Sequence, residues 1–243
     1  MGPDHPSTIL SRSNLGADYA NSGQFNEAIL ILELTLESRN RVLGPDHPDT
    51  LRNCSYLAAT YSQCARYNDA VPLLKKTIER QNQILGPDHP DSLVSRNNLA
   101  ATYGQAGYYE EALLIMRETV EARERILGSE HPDTLTSLNN LANAFTSAGR
   151  FDDAFKLNQR VLEARERLFG TEHPDTLGSR NNLANAYHSA GRFDEAADMH
   201  ALNLEVSERV LGAEHPDTLA SRNNLAYVYR ALGRDADADA LFD

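Results

Sequence analysis

Gly86-Pro87-Asp88-His89-Pro90 is one copy of a five-residue motif, called the His-Pro motif, that recurs in the chain every 42 residues. The copies lie at 2–6, 44–48, 86–90, 128–132, 170–174 and 212–216, and the last three replace Pro-Asp by Ser-Glu, Thr-Glu or Ala-Glu. A fixed period of about 20–50 residues is typical of stacked structural repeats, each of which buries its apolar face against its neighbours. The spacing therefore predicts a repeat array and not a single closed core.

The repeat at 86–127 predicts two helices. Pro90 suits the first position of a helix, because the N–H that proline lacks needs no partner there. Apolar residues then recur three, four and seven apart, which is helical periodicity. We predict a first helix at 90–105, a break with Gly107 as a left-handed cap, and a second helix at 109–127. The six copies predict five complete helix pairs and a truncated sixth.

Charged residues on these helices predict ion pairs. Glu121 and Arg125 are four apart on the second helix, so we expect them to pair, with equivalents in other repeats. An arginine also recurs on the first helix, at a position that faces the packed side. We expect its methylene groups to pack on apolar neighbours and its guanidinium group to pair with a glutamate of the preceding second helix. The arginines of this set are Arg12, Arg96, Arg180 and Arg222.

Small and aromatic residues recur at fixed places in each repeat. In the third repeat they are Leu99, Ala100, Tyr103 and Ala112. This pattern resembles the tetratricopeptide repeat. The 42-residue length and the Gly-x-Asp/Glu-His-Pro-Asp-Thr-Leu join resemble the kinesin light chain type, and similar arrays occur in bacterial NB-ARC signalling ATPases. The resemblance implies an all-α fold, a right-handed superhelical α-solenoid of stacked antiparallel helix pairs.

We therefore expect one repeat array over 1–243. Its repeats are placed at 2–43, 44–85, 86–127, 128–169, 170–211 and 212–243, the last of them truncated. The chain begins inside a join and ends early in a second helix, so we expect a piece of a longer protein. End repeats without a polar capping helix would allow end-to-end self-association.

The net charge of the chain limits the classes of partner that we expect it to bind. The chain has 23 Lys and Arg against 35 Asp and Glu, a net charge of −12. This charge disfavours nucleic acid and anionic membrane surfaces, which need basic residues. Cys54 and Cys64 on one helix would lie about 15 Å apart, beyond the reach of a disulfide. We expect a reduced, cytoplasmic protein without cofactor or metal.

Paired asparagines on the first helix are the candidate binding residues. At 100° per residue they point away from the face marked by Leu99, Ala100 and Tyr103. A side-chain amide donates and accepts, so it can pair with the backbone of an extended peptide. The resemblance implies a peptide groove on the concave face of the first helices. The candidates are Asn97, Asn98, Asn139, Asn140, Asn143, Asn181, Asn182, Asn185, Asn223, Asn224 and, beside them, His188. The alternative is that these amides tie neighbouring repeats together.

The remaining polar groups favour a protein without catalytic activity. The six histidines of the His-Pro motif lie one repeat apart, which is too far for them to share a zinc ion. We therefore expect them to form hydrogen bonds with the start of the next helix. No nucleophile stands beside a base, and no glycine-rich phosphate loop is present. The sequence therefore predicts a protein- or peptide-binding scaffold. A ligand-sensing domain of a larger ATPase or effector, and a small-peptide signal receptor, remain as alternatives.

Overall fold

The computed structural model describes residues 2 and 4–242, and no β-strand occurs among them. The helices are α1 (Pro6–Asn21), α2 (Phe25–Val42), α3 (Pro48–Gln63), α4 (Tyr67–Ile84), α5 (Pro90–Gln105), α6 (Tyr109–Leu127), α7 (Pro132–Ser147), α8 (Phe151–Phe169), α9 (Pro174–Ser189), α10 (Phe193–Leu211), α11 (Pro216–Ala231) and α12 (Asp235–Asp239). Odd-numbered helices are called helix A of their repeat, and even-numbered helices are called helix B. The predicted bounds of both helices in the third repeat are confirmed by α5 and α6.

Each helix A begins with proline and is capped by the histidine before it. In α7, for example, Nδ1 of His131 accepts a hydrogen bond from the backbone N–H of Asp133 at 3.2 Å. The same bond forms at His5, His47, His89, His173 and His215. One N–H at a helix start that has no intrahelical partner is thereby satisfied. The prediction that these histidines bond the next helix start is confirmed.

The turn from helix A to helix B requires a left-handed backbone. Gly107 adopts φ 85° there, and glycine reaches this region without a steric penalty. The second repeat has Ala65 at the equivalent position, with φ 57°. A Cβ is unfavourable in this conformation. Ala65 is thus a strained position that the other repeats avoid.

The described chain forms two compact units, Met1–Ile126 and Leu127–Asp243, called unit 1 and unit 2. In unit 1, consecutive helices from α1 to α5 pack on one another, and the buried side chains of Ala58, Leu74 and Leu99 meet with Ile115 of α6 packed against them. In unit 2, consecutive helices from α7 to α12 pack in the same way. Both units are therefore stacks of helix pairs, with the small residues fully buried where helices touch.

The arginines near the end of helix B pair with the Asp or Glu of the His-Pro motif at the start of the same repeat. Arg125 contacts Asp88 at 2.7 Å, and Arg209 contacts Glu172 at 2.7 Å. The predicted pairing of Arg125 with Glu121 is therefore wrong, because the Asp88 carboxylate of the His-Pro motif lies close enough to pair with this arginine. Arg41 with Asp4 and Arg167 with Glu130 repeat the contact. The recurring Asp or Glu thus has a structural role.

Two of the helix-A arginines have the partners expected of them. Arg180 donates to Glu166 of α8 at 3.1 Å, and its side chain is 4% exposed. Arg222 donates to Glu208 of α10 at 2.8 Å. The prediction that this arginine pairs with a glutamate of the preceding helix B is confirmed at both positions.

Candidate functional site

A stripe of residues along each helix A of unit 2 stays open to solvent. On α9 it includes half-buried Asn182 and exposed Asn185, and on α11 it includes half-buried Asn224 and exposed Tyr227. The members of a stripe are three or four residues apart, so they share one side of their helix. The helix-A face of unit 2 is the surface formed by Asn140, Asn143, Asn182, Asn185, Asn224 and Tyr227. It presents amides from three successive repeats.

The column Asn97, Asn139, Asn181 and Asn223 is placed differently. Asn97 and Asn181 are half-buried and Asn223 is exposed, but Asn139 is only 6% exposed. Its Oδ1 has no hydrogen-bond partner among the described residues. The expectation that this whole column is exposed is therefore wrong at Asn139. Its contact with a peptide stays a prediction.

Hydrogen bonds join successive A helices at other positions of this column. Oδ1 of Asn181 accepts from Nδ2 of Asn224 on the next helix A at 2.9 Å. Ser55, the equivalent of Asn181 in the second repeat, shares a 2.6 Å hydrogen bond with Ser95 of the next helix A. The column thus lies at the seam between A helices, one step around the helix from the open stripe. At Asn181 and Asn224 the amides tie two repeats together.

The other candidate amides differ in exposure. Asn140, Asn143 and Asn185 are exposed, and Asn98, Asn182 and Asn224 are half-buried. An exposed amide keeps both its donors and its acceptor available to a ligand backbone. The exposed amides are therefore accessible, whereas the amide of Asn139 is buried.

His188 lies in an aromatic cluster on the same surface. Its ring centroid is 5.1 Å from that of Phe193 and 4.9 Å from that of Tyr227. The Tyr227 side chain is nevertheless 63% exposed. Beside it opens a cleft of about 170 Å³, the His188 cleft, lined by Asn185, His188, Ser189, His200, Asn224, Tyr227 and Val228. The cleft joins amides of the helix-A face to an exposed aromatic ring.

His200 of α10 forms a buried polar part of this cleft. It is 1% exposed, and its Nδ1 has no hydrogen-bond partner among the described residues. Burial, with a smaller contribution from nearby His188, lowers the pKa of His200 to about 4. The imidazole is therefore neutral at neutral pH. A buried polar atom without a partner is costly, so His200 lowers the stability of the folded chain at this position.

The sequence reasoning missed His200 and Tyr227 as site residues. The equivalents of His200 in the first three repeats are Leu32, Leu74 and Met116, all buried. A polar residue in this apolar register was the available signal. Tyr227 likewise replaces the alanine or asparagine found at its position in the other repeats. Both signals are departures from the repeat, which a search for recurring residues overlooks.

Neither a metal-binding cluster nor a membrane-spanning helix is found in the described part of the chain. Among its residues no three His, Cys, Asp or Glu side chains are grouped so that they could hold a metal ion. No helix in 4–242 combines the length and the apolar character needed to cross a membrane. Cys54 and Cys64 are free thiols.

Stacked helix pairs with capped joins define a helical-repeat protein. Two models described as tetratricopeptide repeat match the chain, at 8–49 and at 51–125, 107–167, 133–202 and 175–243. The chain belongs to the tetratricopeptide repeat family. Members of this family are generally scaffolds for protein interactions.

Solved structures place the chain near the kinesin light chain type. A kinesin light chain protein of Podosopora anserina with nearly identical TPR-like repeats is 33% identical, with a TM-score of 0.69 over 81% of this chain and 93% of that one. A point variant of the Podosopora anserina protein is 30% identical, with a TM-score of 0.75 over 85% and 98%. BtubC (BKLC) of P. vanneervenii shares the fold at 24% identity, with a TM-score of 0.71 over 89% and 87%. Comparison with curated proteins finds no match.

Proposed function

We propose that the chain is a non-catalytic scaffold that binds an extended segment of a partner protein on the helix-A face of unit 2. The observation that carries this proposal is the His188 cleft, where the exposed ring of Tyr227 packs beside His188 and exposed Asn185 lines the same cleft. The family membership supports the scaffold role, and the likeness to a kinesin light chain protein agrees with it.

The amides of the helix-A face suit a main chain as ligand. Each residue of an extended segment offers one N–H and one C=O, and an asparagine side chain can bond both kinds of group. Asn182 and Asn185 lie on one helix A and Asn224 on the next. A segment that crosses from α9 to α11 would meet amides on both helices. This contact does not depend on the sequence of the segment.

The His188 cleft would supply the selectivity. Apart from His188, none of its lining residues carries a formal charge at neutral pH, because burial keeps the pKa of His200 at about 4. It therefore favours an uncharged side chain that packs on Tyr227. Aromatic residues are frequent among those that dominate interface free energy. We propose Tyr227 as the anchor of the interaction, with Asn185 beside it.

A random-peptide display library selected on the protein tests this proposal. Peptides recovered on the wild type should bind Tyr227→Ala and Asn185→Ala at least about tenfold more weakly, a loss of about 1.4 kcal/mol. Asp198→Ala, an exposed change on α10 of the same repeat, is the matched control and should bind normally. Recovered peptides that bind all three variants as tightly as the wild type would contradict the proposed surface.

A further inference from the structure

A buried arginine of helix B joins one repeat to the next. Arg165 of α8 is 8% exposed, and its Nη1 donates to the carbonyl oxygen of Asp175 at 2.9 Å and to Oγ of Ser179 at 2.9 Å. Both acceptors are on α9, the next helix A. Arg39 makes the equivalent bond to the carbonyl oxygen of Asp49. The site thus holds a guanidinium group against the first turns of a helix A.

The fifth repeat lacks this arginine and has Ser207 in its place. The acceptors are nevertheless preserved. Oγ of Ser221 donates to the carbonyl oxygen of Asp217 at 2.9 Å, as Oγ of Ser179 donates to that of Asp175 at 3.2 Å. Because the hydroxyl hydrogen is used in this way, the lone pairs of the hydroxyl oxygen remain able to accept from a further donor.

A cleft opens where the shorter side chain leaves room. It has a volume of about 250 Å³, and Leu177, Asn181, Asn203, Ser207, Asp217 and Ser221 are among its lining residues. A guanidinium group has four non-hydrogen atoms, which need roughly 120 Å³ at the share of about 30 Å³ that a water molecule takes in the liquid. The cleft, called the Ser207 cleft, is therefore large enough for a guanidinium and part of its stem.

The chemistry of the walls favours a planar cation. Leu177 in the lining is apolar and suits a methylene stem. Asp217 and Ser221 also line the cleft, and their carbonyl and hydroxyl are the counterparts of the two groups that accept from Arg165. A guanidinium presents several donors in a fixed plane, whereas an ammonium is a compact and strongly hydrated charge. The same arrangement of acceptors already holds Arg165 in the repeat before.

We propose that the Ser207 cleft binds the guanidinium group of an arginine side chain carried by the partner segment, in the place that Arg165 fills one repeat earlier. This inference rests on the proposed function for the source of the arginine. The position agrees with it, since Asn224 lines both the Ser207 cleft and the His188 cleft. One segment could thus place an arginine in the first cleft and an uncharged side chain in the second.

The first experiment uses N-acetyl-arginine amide as a probe, with the citrulline analogue as a neutral control of the same shape. The side-chain amide signals of Asn181, Asn203 and Asn224 are followed by NMR during titration. The arginine compound should shift them saturably and the citrulline compound should bind at least about tenfold more weakly. Equal binding of the two compounds, or no binding of either, would overturn the inference. The lysine analogue should also bind more weakly, and binding as tight as arginine would overturn the choice of guanidinium.

Two variants fill the cleft from within. Ser207→Arg restores the arginine that Arg39 and Arg165 supply in their repeats, so it should raise the melting temperature and abolish the arginine-dependent shifts. Ser207→Gln copies Gln81 of the second repeat and should abolish the shifts without adding charge. Arginine binding that survives both changes would place the site elsewhere and overturn the inference.

The outcomes separate this inference from the proposed function. Peptides selected on the helix-A face that bind Ser207→Arg as tightly as the wild type would refute the arginine site while the peptide surface stands. Arginine binding that is lost in Ser207→Arg but unchanged in Tyr227→Ala supports the cleft independently of the peptide surface.

Discussion

Replacing His200 with leucine should remove much of the acid sensitivity of unit 2. His200 is 1% exposed, and its pKa is lowered to about 4 from an ordinary value of 6.5. Below pH 6.5 the unfolded chain takes up a proton at this residue while the folded chain does not. The folded state therefore loses free energy relative to the unfolded state as the pH falls from about 6.5 to about 4.

The size of the effect follows from these two pKa values. Each unit of difference corresponds to about 1.36 kcal/mol, so the full loss is about 3 kcal/mol below pH 4 and about 2 kcal/mol at pH 5. Leucine occupies the equivalent buried position as Leu32 and Leu74, so His200→Leu is compatible with the repeat. The variant should lose about 2 kcal/mol less stability than the wild type between pH 7.5 and pH 5.

Urea unfolding at the two pH values measures this difference. Asn158→Leu is the matched control, because Asn158 is the equivalent buried residue one repeat earlier and does not titrate. The control should keep the full acid sensitivity of the wild type. If His200→Leu loses as much stability on acidification as the wild type, the reasoning about the neutral, buried imidazole is refuted.

Three substitutions test the structure of the repeats by thermal or urea unfolding. His131→Ala removes the cap of α7 and should cost about 1 kcal/mol, whereas His131→Asn should retain most of the stability; equal stability of the two variants would contradict the capping role. Ala65→Gly relieves a left-handed alanine and should stabilise the protein by about 0.5–1 kcal/mol, with Gly107→Ala as the reverse control; a loss of stability in Ala65→Gly would contradict the strain. Ala142→Leu adds bulk where the side chain is fully buried and should cost about 1–3 kcal/mol, so an unchanged melting temperature would contradict the close helix contact.

The helix bounds could be predicted from the sequence because local chemistry determines them. Pro90 and His89 mark the start of α5, and Gly107 marks the turn that follows it. These signals act within a few residues, so they do not depend on the rest of the fold. The bounds of α6 follow from the same turn and from the helical period of its apolar residues.

The candidate site could be predicted only in part. Helical angles placed Asn143 and Asn185 on the open side, and both are exposed. The same angles gave no information about where the next helix A lies, so the burial of Asn139 was not foreseen. The bond between Asn181 and Asn224 agrees with the stated alternative that the amides tie neighbouring repeats together, but the angles could not say at which pair it forms. Contacts between repeats depend on how one helix pair is rotated against the next, which a single helical wheel does not contain.

The departures from the repeat are more informative about binding than its recurring residues. Equal repeats present equal surfaces, so a partner can select one place on an array only where the repeats differ. In unit 2, His200 and Ser207 replace residues that are leucine, methionine or arginine in most other repeats, and a cleft lies beside each of them. Each replacement lowers the packing or the bonding between helices, and beside Ser207 it leaves acceptors that a ligand can satisfy. The replacements at these two positions lower the stability of the repeats. We expect such a loss where a surface binds a partner segment.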